Sequence, residues 1–263
     1  MKICTLASSS KGNCTIVYTE NTKILIDCGI TISELTAKLQ VLGISPSEID
    51  GVLVTHEHFD HTCGINNLAK RYGTTIYCHE DALYGIMQKA KSIPSENFIF
   101  FNRLPFDIGD FHIQPFNLPH DVPACVGYTI ENNGVKFSIA TDLGHVTDEI
   151  VGNLVDSKLV ILESNHDPDR LKANPHYPSY LKARILGPNG HLSNLTSASV
   201  IEQLAYGKTK QVLLAHLSEE NNTPDLAYTT IKDYLASKGI IVGVNIKIDV
   251  ASPKNLSPIF VLK

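Results

Sequence analysis

Short apolar runs separated by polar turns recur along the chain and predict β-strands. The first three predicted strands cover residues 2–7, 14–19 and 23–28, with Glu20-Asn21 as the turn between the second and the third. Later runs predict strands over residues 51–54, 74–78, 98–101, 111–117, 126–131, 135–140, 159–162, 211–215 and 244–248. The tripeptide Asn132-Asn133-Gly134 has the composition of a tight hairpin turn.

Apolar residues at helical spacing lie between many of these strands. They predict helices over residues 31–42, 64–72, 80–90, 147–155, 193–205 and 224–237. Thr31 or Ser33 suits the start of the first helix, and Ser193 or Asn194 suits the start of the fifth. Alternation of strands and helices is typical of an α/β fold. No linker or low-complexity tract divides the chain, which predicts one domain over residues 1–263.

Composition and charge are those of an ordinary globular protein, with 43% hydrophobic and 19% charged residues. The net charge of −5 argues against a nonspecific nucleic-acid binder. It does not exclude a nuclease, because bound divalent ions add positive charge where phosphate must lie. The apolar run formed by the first residues is too short for a signal peptide, and no apolar run in the chain approaches membrane-spanning length. Six scattered cysteines then predict free thiols and a cytoplasmic protein.

A dense group of metal-binding residue types follows the predicted strand at 51–54. It reads Thr55-His56-Glu57-His58-Phe59-Asp60-His61. Imidazole nitrogen and carboxylate oxygen suit zinc and related divalent metals. His56 and His58 face the same way while the chain is extended, and Asp60 and His61 fall on the following turn, where they could serve a second metal. Ordinary surface histidines are the simpler alternative, but this density after a buried strand favours a metal site.

Three further ligand-type residues, His120, Asp142 and His216, each follow a separate predicted strand. Each of them alone would more often be structural than catalytic. A site at one edge of a sheet requires such strand-end residues, so the repetition favours all three as ligands. Asp27 also follows an apolar run, and a buried carboxylate needs partners. It could orient a ligand histidine or cap a local turn.

The motif resembles the signature H-x-H-x-D-H of the metallo-β-lactamase superfamily. Its four positions are filled by His56, His58, Asp60 and His61. The resemblance implies a four-layer αββα sandwich with the site at one edge. It also implies two divalent metal ions held by seven residues: His56, His58 and His120 for the first ion, Asp60, His61 and His216 for the second, and Asp142 bridging both. Zinc, manganese and iron all suit these donors, and a metal-bridging hydroxide is the expected nucleophile.

Other short runs resemble one branch of this superfamily, the YycJ (WalJ)-like exonucleases. The runs are Ser8-Ser9-Ser10-Lys11-Gly12-Asn13, Glu163-Ser164-Asn165-His166-Asp167, Gly190-His191-Leu192-Ser193-Asn194 and His216-Leu217-Ser218-Glu219-Glu220-Asn221-Asn222. The branch implies a metal-dependent phosphodiesterase that hydrolyses nucleic acid, as a 5′-to-3′ DNA exonuclease. Ser9 departs from the pattern, because the branch usually has glycine there. A positive φ at this position would disfavour serine.

The resemblance and the side-chain chemistry together predict the remaining site residues. The predicted substrate contacts are Ser10, Asn13, Asn165, His166 and His191. Asp60 and His191 are the predicted catalytic residues. His191 could donate to a phosphate oxygen or protonate the leaving oxygen, or it is a turn histidine before a helix. For the loop at residues 8–13 the alternative is a simple polar hairpin, and for Asn165 and His166 it is a structural role at a strand end.

Two other functions remain open from the sequence. A small-molecule hydrolase, acting on a cyclic phosphodiester or a thioester, would use the same dinuclear site, and the negative net charge and modest size of the chain keep this alternative open. A metal-bound regulatory protein is a third possibility, although a binding module has no need of an activated water. β-Lactamase activity is not expected, because Asp142 stands where class B enzymes usually carry cysteine. Protein partners are not indicated.

Overall fold

The computed structural model describes residues 1–89 and 93–263, and the chain divides into two compact units. The first unit contains Met1–Pro115, Val122–Val126 and Ser252–Lys263, and the second contains Phe116–Asp121 and Gly127–Ala251. Each unit is built from a mixed sheet and helices, which confirms the predicted α/β class. The single domain predicted for residues 1–263 stays a prediction.

The elements follow one another in a largely alternating order. The strands are β1 (Lys2–Ser9), β2 (Gly12–Tyr18), β3 (Lys23–Ile26), β4 (Gly51–Leu53), β5 (Thr75–His79), β6 (Phe98–Phe101), β7 (Phe106–Ile108), β8 (Phe111–Asn117), β9 (Val126–Asn132), β10 (Val135–Ala140), β11 (Leu159–Glu163), β12 (Gln211–Ala215), β13 (Lys247–Val250) and β14 (Phe260–Val261). The α-helices are α1 (Ile32–Val41), α2 (Phe59–Thr62), α3 (Ile65–Tyr72), α4 (Leu83–Lys89), α5 (Asp148–Leu154), α6 (Pro168–Ala173), α7 (Ser179–Leu186), α8 (Asn194–Tyr206) and α9 (Pro224–Ser237). Within the described residues, none of these helices combines the length and apolar character needed to cross a bilayer.

The sheet of the first unit runs in the order β14-β1-β2-β3-β4-β5-β6. Neighbours from β14 to β3 pair antiparallel, whereas β3, β4, β5 and β6 are parallel. Parallel strands end at the same edge of a sheet, where α/β proteins place their ligands. The ends of these four strands therefore bring Asp27, the motif at residues 56–61, His79 and Phe101 to one edge.

Helices α1 and α3 supply apolar side chains to the core of the first unit. Leu35 and Leu39 of α1 and Leu68 of α3 are fully buried in one cluster with Leu25 and Ile76 of the sheet. Burial of each such side chain contributes about 2 kcal/mol to folding. This core supports the strands that carry the motif.

The sheet of the second unit contains β10, β11, β12 and β13 as parallel neighbours, with β9 antiparallel to β10. The predicted turn between β9 and β10 is confirmed, with Asn133 and Gly134 at φ 51° and 75°, as a type I′ hairpin requires. Asp142 follows β10, Glu163 ends β11 and His216 follows β12. These residues therefore lie at one edge of the second sheet.

The core of the second unit lies between this sheet and helices α5, α8 and α9. Leu154 of α5, Ile201 of α8 and Ile231 of α9 are fully buried, as are Ile161 and Leu213 in the sheet. β11 is buried along its whole length, as expected for a parallel strand covered on both faces. The strand ends that carry Glu163 and Asp142 are thus held by a packed scaffold.

Polar side chains set two helix starts, the first of them at the predicted residue Thr31. The Thr31 hydroxyl accepts a hydrogen bond from the Glu34 N–H group at the start of α1. Ser45 and Glu48 form the reciprocal capping box around a short 3₁₀ turn that begins at Pro46. These caps fix the chain before it enters β4.

The structure contains several short elements that the sequence did not predict. They are α2, β7, α6 and β14, each six residues or fewer, too short to show a hydrophobic period. The strand predicted at 244–248 is wrong by three residues, because the Ile241 carbonyl accepts from the Val244 and Asn245 N–H groups in a turn. The predicted end of a helix at Ala90 lies outside the described residues.

Candidate metal centre

The predicted motif lies just past β4, where the chain turns into α2. His58 is the residue before α2, and His56 and His61 are fully buried. The imidazole centroid of His56 lies 4.6 Å from that of His58 and 4.2 Å from that of His61. The first unit therefore brings its three predicted histidine ligands together.

The buried pair Asp27 and Thr55 fixes two of these histidines. Thr55 donates from its N–H group to Asp27 Oδ1 at 2.8 Å and from its hydroxyl to Asp27 Oδ2 at 2.8 Å. His61 Nδ1 donates to Asp27 Oδ2 at 2.7 Å. Because the Thr55 hydroxyl gives its proton to Asp27, it accepts from His56 Nδ1 at 3.0 Å. Both rings then carry their proton on Nδ1 and present the Nε2 lone pair. Of the two predicted roles of Asp27, contact with a motif histidine is the one observed.

Backbone strain marks three of the strand ends. Non-glycine residues of the described chain with positive φ are Asp27, Asn133, Asp142, Asp156 and His216. Asp27, Asp142 and His216, at φ 59°, 65° and 55°, each follow a strand and carry a side chain of ligand type. A left-handed backbone persists at such residues only where the surroundings hold it, and it is typical of functional sites.

Burial raises the pKa of the Asp27 carboxyl above its ordinary value, although His61 and Thr55 act in the opposite direction.

We expect Asp27→Asn to weaken metal binding roughly 10- to 100-fold while the fold is kept. The asparagine amide group would donate to His61 Nδ1 and so drive the ring proton to Nε2, the atom needed for a metal. Titration with Zn²⁺ against a chelator measures the effect, with Asp233→Asn on the exposed face of α9 as the control. Equal affinity in native protein and Asp27→Asn would contradict it.

Asn13 lies against the motif. Its Nδ2 group donates to Asp60 Oδ2 at 3.3 Å and lies 3.1 Å from His61 Nε2. The same group donates to the Ser9 carbonyl at 2.9 Å, and Ser9 N–H donates back to Asn13 Oδ1 at 3.2 Å. These contacts indicate that Asn13 positions Asp60. Its predicted contact with substrate stays a prediction.

The loop before Asn13 has no need of glycine at Ser9. Ser9 is the last residue of β1, pairs with Gly12 across the hairpin and has no positive φ. Its hydroxyl accepts from the Lys11 N–H group at 3.2 Å, which orders the loop. Serine at this position is therefore compatible with the loop. Ser10 is exposed, and its substrate contact stays a prediction.

Glu163 is the centre of a second group of polar residues, in the second unit. It is fully buried, and its Oε1 accepts from His191 Nδ1 at 2.9 Å and from His216 Nδ1 at 2.8 Å. Its Oε2 accepts from the N–H groups of Leu192 at 2.8 Å and Leu143 at 3.3 Å. Burial alone would raise the pKa of the Glu163 carboxyl, but the two histidines lower it to about 2. An ionised Glu163 thus holds both rings through Nδ1 and leaves Nε2 as the nitrogen that can bind a ligand.

Asp142 and His120 complete this second group. Side-chain ligand atoms of Asp142, Glu163, His191 and His216 lie within 4.8 Å of one another, as a metal site requires. His120 Nδ1 donates to the carbonyl of Gly190 at 3.2 Å, and its ring centroid lies 5.2 Å from that of His191. Burial lowers the pKa of the His120 imidazole, which favours the neutral form that binds metals.

Comparison with known proteins agrees with this chemistry. A family model described as "Beta-lactamase superfamily domain" matches residues 22–217. The chain belongs to the metallo-β-lactamase superfamily. It is 34% identical over 262 residues to exodeoxyribonuclease WalJ of Streptococcus pneumoniae, covering 98% of this chain and 97% of that protein. It is 33% identical over 250 residues to exodeoxyribonuclease YycJ of Bacillus anthracis, covering 95% and 94%.

The fold is shared with solved members of the superfamily. The metallo-β-lactamase fold protein YhfI from Bacillus subtilis matches with a TM-score of 0.72 at 19% identity, over 97% of this chain and 98% of that one. Identity at this level shows the fold alone. The predicted metallo-β-lactamase fold is therefore confirmed.

Divalent metal ions are typical of the superfamily, and the donors of this chain fit them. Four predicted ligands have Nδ1 bound by the protein: His56 by Thr55, His61 by Asp27, His120 by the Gly190 carbonyl and His216 by Glu163. Metal-ligating histidines usually donate their second nitrogen in this way, which fixes the tautomer and directs the other nitrogen to the metal. Thr55 and Glu163 are absent from the predicted site residues. A carboxylate that ends an apolar strand, as Glu163 does, is the signal that could have found it.

Asn165 and His166 follow Glu163 in the second unit. Asn165 Nδ2 donates to the His216 carbonyl at 2.9 Å, and the Ser218 N–H group donates to the Asn165 carbonyl at 2.8 Å. Asn165 is buried, and these contacts indicate that it holds the backbone of His216. His166 is 1% exposed, and in the described chain neither of its ring nitrogens has a hydrogen-bond partner. For both residues, contact with substrate stays a prediction.

Burial lowers the pKa of His166 to about 4. Between about pH 6.5 and 4, the unfolded chain binds a proton here that the folded protein excludes, so the free energy of unfolding falls as the pH falls. We expect this loss to approach about 1.4 kcal/mol per pH unit and to be absent from His166→Asn. Urea unfolding of both proteins at several pH values measures the slopes. His176→Asn, at an exposed histidine, should keep the native slope, and an equally steep slope in His166→Asn would contradict the assignment.

Proposed function

We propose that the chain is a metal-dependent phosphodiesterase that hydrolyses nucleic acid, acting as a 5′-to-3′ DNA exonuclease. The observation that carries the proposal is the nearly full-length similarity to two proteins named exodeoxyribonuclease. The oriented histidines around Asp27 and Glu163 support it, because they suit divalent metal ions. The small-molecule alternative is supported only by the shared fold, the negative net charge and the modest size of the chain.

We propose two divalent metal ions, zinc or manganese, with iron also compatible with the donors. The superfamily pattern assigns the ligands: His56, His58 and His120 for the first ion, Asp60, His61 and His216 for the second, and Asp142 for both. When bound, the ions supply positive charge that stabilises the phosphate oxygens in the transition state and lower the pKa of a water molecule.

His191 and Asp60 are the proposed catalytic residues of the chain itself. His191 Nδ1 is held by Glu163, and the side chain is 17% exposed, so Nε2 is available to a substrate. It would donate a proton to the leaving oxygen or a hydrogen bond to a phosphate oxygen. Asp60 is oriented by the Asn13 amide. Ser10, Asn13, Asn165 and His166 are the remaining proposed substrate contacts.

DNA labelled at its 3′ end, as single strands and duplexes, tests the proposal in the presence of Mn²⁺ or Zn²⁺. We expect stepwise shortening from the 5′ end by the native protein, and none by an Asp60→Ala, His61→Ala double variant or after chelation with EDTA. Failure to cleave DNA with any metal, while bis-p-nitrophenyl phosphate is still hydrolysed, would favour a small phosphodiester as the substrate.

We also propose that the protein acts on DNA in the cytoplasm, with no membrane association. All six cysteines are free thiols, which a reducing compartment maintains. Cell fractionation with an antibody to the protein tests this location, and recovery in the membrane fraction would contradict it.

A further inference from the structure

A column of aromatic rings runs through the first unit to the sheet edge that carries the motif. Tyr77 stacks on Phe106 with centroids 5.6 Å apart and 4° between the ring planes. Phe106 stacks on Phe101 at 5.2 Å and 24°, and Phe101 meets His79 edge to face at 6.0 Å. Since Phe101 and His79 are the last residues of β6 and β5, the column ends at the sheet edge.

An open pocket of about 230 Å³ lies beside Phe101 and Phe106 of this column. Its lining includes the apolar side chains of Phe100, Phe101, Leu104 and Phe106 and the polar residues Asn102 and Glu80. Pockets for whole small-molecule ligands usually measure roughly 300–1,000 Å³. This pocket therefore has the size for one ring system of a larger ligand.

The walls of the pocket expose apolar surface on an ordered loop. Phe100 is 48% exposed and Leu104 is 69% exposed. Asn102 Oδ1 accepts from the Leu104 N–H group at 2.8 Å, and the Arg103 carbonyl accepts from Gln114 Nε2 at 3.0 Å. The loop is thus held in place, and the Arg103 side chain is exposed on it. The apolar wall suits a flat ring, and the lining carboxylate of Glu80 can accept a hydrogen bond from a base N–H group. Arg103 does not line the pocket, but it lies between the lining residues Asn102 and Leu104 and supplies a positive charge on the same loop.

The pocket lies on the same sheet edge as the motif. β4, β5 and β6 are adjacent parallel strands, with Leu53 opposite Tyr77 and His79 opposite Phe101. Two strand spacings separate the end of β4 from the end of β6, on the order of 10 Å. A nucleic-acid strand with its phosphodiester at the motif would reach the pocket within about three nucleotides, at the roughly 3.4 Å spacing of a stacked strand.

We propose that this pocket binds one nucleobase of the strand that is hydrolysed, an inference that rests on the proposed function. The base would stack against Phe100 and Leu104, and Arg103 would contact the adjoining phosphate. Stacking on an aromatic ring tolerates every base, because each base has a π-face. An exonuclease needs this tolerance, since each step brings a new base into the same position.

Single-stranded DNA with one abasic site, placed at successive positions from the 5′ end, tests the inference. In the native protein, an abasic site at one position should raise KM roughly 5- to 160-fold, the effect of one lost base stack. Phe100→Ala should raise KM for intact DNA by the same factor and be insensitive to the abasic site. Leu104→Ala should show the same pattern more weakly, and Tyr206→Ala, at an exposed aromatic residue of α8, should behave as the native protein.

Hydrolysis of bis-p-nitrophenyl phosphate separates the possible failures. This small substrate does not reach the pocket, so Phe100→Ala and Leu104→Ala should keep the native rate. DNA hydrolysis by Phe100→Ala with native KM would overturn the pocket but leave the proposed function intact. Loss of the small-substrate activity in both variants would assign the pocket a structural role and overturn the inference. A native protein that hydrolyses only the small substrate would overturn the proposed function, and the nucleobase pocket with it.

Discussion

Glu163→Gln is expected to lower both metal affinity and the rate of phosphodiester hydrolysis by roughly 100-fold. The Glu163 carboxylate accepts from His191 and His216 through Oε1 and from two backbone N–H groups through Oε2. Glutamine has one acceptor oxygen, so its amide group must face either the two imidazole N–H groups or the two backbone N–H groups. In either arrangement, the amide N–H group faces other buried N–H donors, which then lack an acceptor.

The same substitution should destabilise the folded protein by about 3 kcal/mol, because buried N–H donors lose the charged carboxylate that accepts their hydrogen bonds. The measurements are chelator competition for Zn²⁺, which does not depend on the substrate, and urea unfolding of the metal-free protein. Glu149→Gln, on the exposed face of α5, is the matched control and should change neither quantity. Metal affinity within about twofold of the native value in Glu163→Gln would show that Glu163 does not orient the ligands.

The role of Glu163 also shows how far the sequence could predict the site. Strand-end positions identify Asp142 and His216, because the parallel strands β10 and β12 must end at a common edge. His120 also follows a strand, β8, and the repetition of this pattern identified it. The hydrogen-bond partner of each histidine could not be predicted, because Glu163 is separated from His191 and His216 by 28 and 53 residues in the sequence. Such contacts depend on strand register and backbone direction, which no local pattern records.

In the first unit too, the sequence predicts the site residues better than their hydrogen-bond partners. The sequence predicts that Asp27 meets a motif histidine or caps a turn, and the structure shows the histidine contact. It does not predict that Thr55, the first residue of the motif, donates its hydroxyl proton to Asp27 and accepts a hydrogen bond from His56. Nor does it predict α2, because four residues are too few for a helical period. Long, strongly periodic segments were predictable, and short segments held by tertiary contacts were not.

The second prediction concerns the backbone behind the motif. Gly29→Ala is expected to destabilise the protein by about 3 kcal/mol or more and to weaken metal binding with it. A Cβ atom on Gly29 would lie 1.6 Å from the Asp60 carbonyl oxygen and 2.8 Å from the Asn13 nitrogen. Neither neighbour can easily move away, because Gly29 N–H donates to the Asn13 carbonyl at 2.8 Å and Cys28 N–H donates to the His61 carbonyl at 2.9 Å.

Thermal unfolding and Zn²⁺ titration measure the two effects of Gly29→Ala. For a chain of this size, 3 kcal/mol corresponds to a fall in Tm of about 10 °C. The matched control is Gly152→Ala within α5, where an added Cβ meets no atom within 4 Å. That variant should gain up to about 1 kcal/mol, because alanine favours a helix. If Gly29→Ala unfolded at the native temperature, the backbone of Asp60 would have room to move, and close packing against Gly29 could not be what holds Asp60 in place.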